Sequence, residues 1–233
     1  MQLTYPELIV FDWDGTLVDT FDLLFSAHNY VRQAMGLTPW SQEQARQNIR
    51  ASAREIYPQI YGSAANRALG LLYDYVDKHH LRKLACMPSA GELLTHLHNE
   101  TAIKLAVLSN KNQLYLEREI AQLNWQDYFH AVIGAGIAEY DKPSAAPLNY
   151  MLEQLATMDV TVPNKNRIWL IGDTETDMMC AHAAQVTPVF VRNGFGHDNI
   201  IETYTPNCVI NDCKGLYHVL QNKEIKMCNS KLV

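Results

Sequence analysis

Apolar residues arrive along this chain in short, nearly unbroken runs. They are LIVF (8–11), IKLAVLS (103–109), AVIGA (131–135), RIWLIG (167–172), PVFVR (188–192) and CVI (208–210). Runs this short, rich in β-branched residues and without polar alternation, predict strands covered on both faces, hence a parallel sheet. Between most of them the period changes to that of a helix: QLYLEREIAQL (113–123), APLNYMLEQLATM (146–158) and TDMMCAHAAQ (176–185). The alternation predicts an α/β fold with a doubly wound parallel-sheet, Rossmann-like core.

The rhythm fails between the first run and the second, where residues 20–88 read as helix only. Gly36 is placed to end the first helix, and Ser41 with Gln44 forms a capping-box pattern for the next. Gly70 weakens a third. A stretch this long is no ordinary crossover. It predicts a small all-helical insert at 20–88, dividing the α/β core into 1–19 and 89–225 and leaving 226–233 as a frayed polar tail. Arg46, Arg50 and Arg54 recur at four-residue spacing, so a continuous helix would line them along one face.

Composition narrows the class. The chain has 233 residues, 48% apolar and 19% charged, with a net charge of -6. No polybasic run is present, which argues against nucleic acid as a partner. No stretch approaches the roughly 18 apolar residues of a membrane span, and the N-terminus lacks the basic region of a signal peptide. Five cysteines, odd in number and without a Cys-x-x-Cys pair, fit a reduced cytoplasmic chain, expected as monomer or homodimer.

Chemistry collects where the apolar runs end. The first ends in Asp12-Trp13-Asp14-Gly15-Thr16, the second in Ser109-Asn110, the fourth in Gly172-Asp173 with Asp177 four residues on. In an open parallel sheet these ends share one crevice. Asp12, Asp14 and Asp173 would there offer hard oxygen ligands suited to Mg²⁺. Ser109, Lys142 and backbone N–H groups near Thr16 and Asn110 can cradle a phosphoryl group. A carboxylate can be the nucleophile of an aspartyl-phosphate, and a second acid two residues on can protonate the leaving alcohol and then activate water.

FDWDGTLVDT, LSN, DKP and IGDTETD, in that order, resemble the four motifs of the haloacid dehalogenase-like (HAD) hydrolase superfamily, over residues 7 to about 195. The resemblance implies Asp12 as nucleophile and Asp14 as general acid/base. It implies Thr16 and Ser109 as phosphoryl ligands and Lys142 as the group that steadies nucleophile and phosphoryl oxygens. It places Mg²⁺ on Asp173, the Asp12 carboxylate and the Asp14 main-chain carbonyl, with Asp177 in support. The insert corresponds to a helical cap placed after the first motif, since the first two motifs lie 97 residues apart (12 to 109) and the next two only 33 (109 to 142).

Asp14 favours phosphoryl transfer over dehalogenation, and MPSAGELLTHL (87–97) resembles the return to the core in phosphoglycolate phosphatase-like members. The expected activity is Mg²⁺-dependent hydrolysis of a small phosphorylated metabolite, with phosphoglycolate as first substrate and Arg50 reaching its carboxylate. Nucleotides, sugar phosphates and pyrophosphate are the alternatives, and a non-catalytic scaffold on the same fold is the alternative of another class. Trp13 stands where a smaller apolar residue is usual; its ring is expected in the core or against the base of the insert. Met178, Met179 and Cys180 read as core. The paired histidines 79–80 and 96/98 point to different faces and do not read as metal pairs.

Overall fold

The computed structural model describes residues 3–49, 51–192 and 198–221. In chain order, β1 is Leu8–Phe11 and β2 Val18–Asp19; helices α1 (Phe21–Ala34), α2 (Gln42–Asn48), α3 (Ala53–Tyr61) and α4 (Ala65–His79) follow. Next come β3 (Ala85–Cys86), α5 (Ala90–Glu100), β4 (Lys104–Asn112), α6 (Gln113–Gln122) and β5 (Ala131–Ala135). Then come α7 (Ala146–Thr157), β6 (Ile168–Gly172), α8 (Glu175–Ala184), β7 (Thr187–Val191), α9 (Asp198–Tyr204), β8 (Cys208–Ile210) and α10 (Cys213–Gln221).

Six strands form one parallel sheet in the order β5-β4-β1-β6-β7-β8. The chain winds outward from β1 in both directions, so the carboxyl ends of β4, β1 and β6 flank the crevice where strand order reverses. The apolar runs are unbroken because both faces are covered. Ile9, Phe11, Leu105, Val107, Trp169 and Ile171 pack under α5, α6 and α10. Leu8, Val10, Ala106, Leu108 and Leu170 pack under α7 and α8. This is the two-residue alternation of a strand, with apolar partners on either side.

Between β2 and β3 the chain forms a helical lobe with its own apolar cluster, including Ala27, Val31, Tyr57, Ala68, Leu72 and Val76. Tyr115 of α6 joins that cluster, and its hydroxyl donates to the Tyr73 carbonyl at 3.0 Å. Local signals hold at the lobe's helix ends. Ser41 and Gln44 make a reciprocal capping box, and Gly36 follows α1 at a φ of +75°.

Four expectations change. The insert is not helix alone, since β2 and β3 pair antiparallel at its base. The arginine stripe does not form, because α2 ends at Asn48 and α3 restarts at Ala53. Arg46 then lies over the Phe21 ring at 4.0 Å while Arg54 turns to Asp141; Arg50 lies outside the described residues, as does the tail from 226. Met179 is 40% exposed, whereas Met178 and Cys180 are core. Finally, β4 does not stop at Ser109. It runs irregularly to Asn112, whose side chain, not that of Ser109, caps α6 by accepting from the Leu114 N–H at 3.1 Å.

Candidate active site

Asp12 follows the last residue of β1, where its N–H is still held by the Ile171 carbonyl of β6 at 2.8 Å. The chain then turns. The Trp13 carbonyl accepts from the N–H groups of Leu17 and Val18 at 3.0 and 3.1 Å. Gly15 permits the turn twice over. Its φ is +82°, a region other residues enter at a cost, and a Cβ there would lie 2.3 Å from Asp173 Oδ2. Gly172 plays the same part on β6, where a Cβ would meet the Asp177 carboxylate carbon at 2.2 Å. Two glycines thus let two carboxylates approach the backbone.

The structure brings Asp12, Asp173 and Asp177 together, buried, with one carboxylate oxygen of each within 4.8 Å of the others. Lys142 Nζ lies between two of them, donating to Asp12 Oδ1 at 2.7 Å and to Asp177 Oδ1 at 2.6 Å. Asp177 Oδ2 accepts from the Thr174 N–H and hydroxyl at 3.1 and 2.6 Å, so this acid steadies both the lysine and the start of α8. Thr16 Oγ1 donates to Asp173 Oδ1 at 3.4 Å. Burial pushes the Asp12 carboxyl up to about 7; Asp177 and Asp14 add to the rise, and Lys142 opposes it. Burial, with Asp12 and Asp177 close by, also holds Asp173 well above the usual carboxylate range. Burial alone would lower Lys142, but its two carboxylate partners raise it, so it stays a cation.

Asn110 positions that lysine. Its amide nitrogen donates to the Lys142 carbonyl at 2.9 Å and its amide oxygen accepts from the Lys142 N–H at 3.0 Å. The Ser109 hydroxyl accepts from the Lys111 N–H at 3.1 Å beside the same crevice. A cavity of about 130 Å³ opens there. Asp12, Asp14, Ser109 and Lys142 line its floor, and Leu24, His28, Ile49, Leu72, Tyr73 and Val76 of the lobe line its roof. It is smaller than the ~300 Å³ at which drug-sized ligand pockets begin.

One set of residues was not singled out from the sequence. Lys111 donates to Asp14 and Glu119, and the fully buried Glu119 also receives the Trp13 indole N–H at 2.7 Å. Trp13 is itself wholly buried, edge-on to Trp125 with ring centroids 5.9 Å apart, which puts its ring in the core. A signal for Glu119 exists in the sequence. It falls among Tyr115, Leu116 and Ile120 on the apolar face of α6, where an acid has no place unless something answers its charge.

Comparison with known proteins shows the family and the fold. The haloacid dehalogenase-like hydrolase family matches residues 9–191. A phosphoglycolate phosphatase of Pseudomonas fluorescens is 28% identical over 222 residues, covering 91% of this chain and 78% of that protein. One from Chromobacterium violaceum is 24% identical, covering 95% of this chain and 100% of that protein. A haloacid dehalogenase-like family hydrolase from Streptococcus pneumoniae has the same fold, with a TM-score of 0.77 at 18% identity, covering 93% of this chain and 99% of that one.

Proposed function

The chain belongs to the haloacid dehalogenase-like hydrolase family, and from that premise we propose a Mg²⁺-dependent phosphatase that hydrolyses a small phosphate monoester through an aspartyl-phosphate on Asp12. The observation that carries the reading is Lys142 Nζ held between Asp12 and Asp177 with Asp173 alongside. A nucleophilic carboxylate must meet an anionic phosphoryl group, and a lysine bonded to its oxygen offsets the repulsion.

The acids also fit a divalent cation. Three buried carboxylates share one lysine, so ionising all three leaves more negative charge than Lys142 answers, and a divalent cation would meet the excess; the raised Asp12 and Asp173 carboxyls reflect that cost when no cation is bound. Asp12, Asp173 and the Asp14 carbonyl would hold Mg²⁺, with Asp177 behind them, and the bound ion would draw charge from the phosphoryl oxygens. Thr16, Ser109 and the N–H groups around Asn110 receive the phosphoryl group. In the first half-reaction an Asp12 oxygen bonds to phosphorus, the bond to the leaving oxygen breaks, and that oxygen takes a proton from Asp14. In the second, water attacks phosphorus, the Asp12–phosphate bond breaks, and Asp14 takes the water's proton. The sum is ester plus water giving alcohol plus phosphate.

Residues 20–88 serve as a lid over the core formed by 1–19 and 89–225, and the apolar roof keeps bulk water from the aspartyl-phosphate. Phosphoglycolate is the first substrate, on the strength of what the relatives are named for. Its leaving group carries a carboxylate, and Arg50 lies in the chain between Ile49 and Ala51, both of which line the cavity. Phosphate release from a panel of small esters tests the reading. Activity is expected with Mg²⁺ and not with a chelator, and Asp12→Asn is expected to abolish it with the circular dichroism spectrum unchanged. Activity surviving Asp12→Asn sinks the assignment.

A further inference from the structure

Asp14 is not a lone carboxylate at the cavity edge. Its Oδ1 accepts two bonds, from Lys111 Nζ at 2.7 Å and from the Thr20 hydroxyl at 2.6 Å. Lys111 Nζ donates on to Glu119 Oε2, also at 2.7 Å. Glu119 is locked from the other side. Oε2 accepts the Trp13 indole N–H at 2.7 Å, and Oε1 faces His80 Nδ1 at 3.0 Å. Glu119 and His80 are fully buried and Lys111 is 8% exposed.

Such a set is an odd choice for stability alone. A buried ion pair is expensive to desolvate, and apolar residues of similar volume often serve as well or better. Leu116 and Ile120, the neighbours of Glu119 on α6, show that this face packs apolar residues well. What the pair gives that leucines cannot is a fixed ammonium. A lysine stem is flexible, but one held between two carboxylates, the deeper of them pinned by an indole and an imidazole, has one place to be. Asp14 is the carboxylate of the network that lines the cavity, with Lys111 beside it.

We propose that Lys111 and Glu119 are positioning residues for Asp14: the buried pair pins Asp14 Oδ1, so that Oδ2 faces first the leaving-group oxygen and then the attacking water. Trp13 and His80 hold Glu119 in turn. His80 directly follows the last lobe helix, so the lobe holds one corner of the lock. The proposal rests on the phosphatase reading, because it gives Asp14 a proton to move.

Leaving-group chemistry separates the possibilities. A nitrophenolate leaves without help, whereas an alkoxide needs its proton during bond breaking. kcat/KM with Mg²⁺ is measured for p-nitrophenyl phosphate and a series of alkyl phosphates. Lys111→Met is expected to lower it about 100-fold for alkyl esters, the scale of a misplaced general acid. For p-nitrophenyl phosphate the expected loss is at most about threefold, since little acid assistance is removed there. Lys111→Met leaves Glu119 without its cation, so Lys111→Met/Glu119→Gln, which removes both charges, is measured beside it and is expected to show the same steepened dependence on leaving group. An equal loss across the series overturns the proposal, since Lys111 would then act on the phosphoryl group itself; so does no loss. A wild-type protein inactive on every ester fails the phosphatase reading before any variant is made, and the proposal with it.

Discussion

Gly15 shows how much one residue can decide. The position carries a φ of +82° and would put a Cβ 2.3 Å from Asp173 Oδ2, so strain and collision act together. Gly15→Ala is expected to cost about 1–3 kcal/mol in urea unfolding from backbone strain. It is also expected to lower phosphatase activity by displacing Asp173; an alanine variant as stable and active as the parent would refute this. Asp12, Asp14 and Asp173 drew attention in the sequence because each stands at or just past the end of an apolar run that a parallel sheet explains, and Lys142 because of the DKP motif; the structure brings the four to one crevice. Lys111 and Glu119 were not read, since their meaning depends on each other. Lys111 looks like a loop lysine until β4 is seen to carry it inward, and Glu119 looks like helix surface unless the apolar residues on its side of α6 are noticed.

At the scale of elements, α1 and α3 meet through His28 and Tyr57. Tyr57 OH lies 3.0 Å from His28 Nδ1, and the Trp40 ring packs against the imidazole with centroids 5.7 Å apart. Burial, with the nearby Arg32 cation, lowers the His28 pKa to about 4 from an ordinary 6.5. The folded chain therefore keeps this ring neutral while the unfolded chain protonates it, and stability is lost as pH falls from about 6.5 towards 4. The loss is at most about 3.5 kcal/mol, taking roughly 1.4 kcal/mol per pH unit. Urea midpoints at pH 6.5, 5.5 and 4.5 are expected to fall less for His28→Phe than for the wild type; parallel declines would exclude His28 as the source. The strand–helix alternation was readable because covered strands appear as apolar runs. The break between α2 and α3 had a signal that went unread: Ser52 with Glu55 three residues on is the pattern of a helix start, and Ser52 is the N-cap of α3. Strands β2 and β3, two residues each, were too short to show a period.

At the scale of the whole molecule, one charged clamp joins the lobe to the sheet beside Lys142. Arg54 grips buried Asp141 with two bonds, Nε to Oδ2 at 3.2 Å and a terminal nitrogen to Oδ1 at 2.9 Å. Glu55 accepts the Asp141 N–H at 2.8 Å, and Asp141 Oδ1 also accepts from the Gly136 N–H at 2.9 Å. Arg54→Ala is expected to speed hydrogen exchange at the amides of Gly136 and Asp141 about tenfold, the loss of roughly one charged hydrogen bond's worth of local stability. Unchanged exchange at both amides would show that the clamp holds nothing.

The two crossings into the lobe are neighbours rather than distant tethers, since Val18 pairs with Cys86 and Asp19 with Ala85. Everything between them is topologically a decoration on the tip of a hairpin. The chain leaves the sheet and comes back at points one strand spacing apart, about 4.8 Å, so a lobe of any length can be grafted or trimmed there without disturbing strand order. Asp14, to which we assign the proton transfer, sits just upstream of that graft point, so the chemistry proposed for it can stay fixed while the roof above it is exchanged.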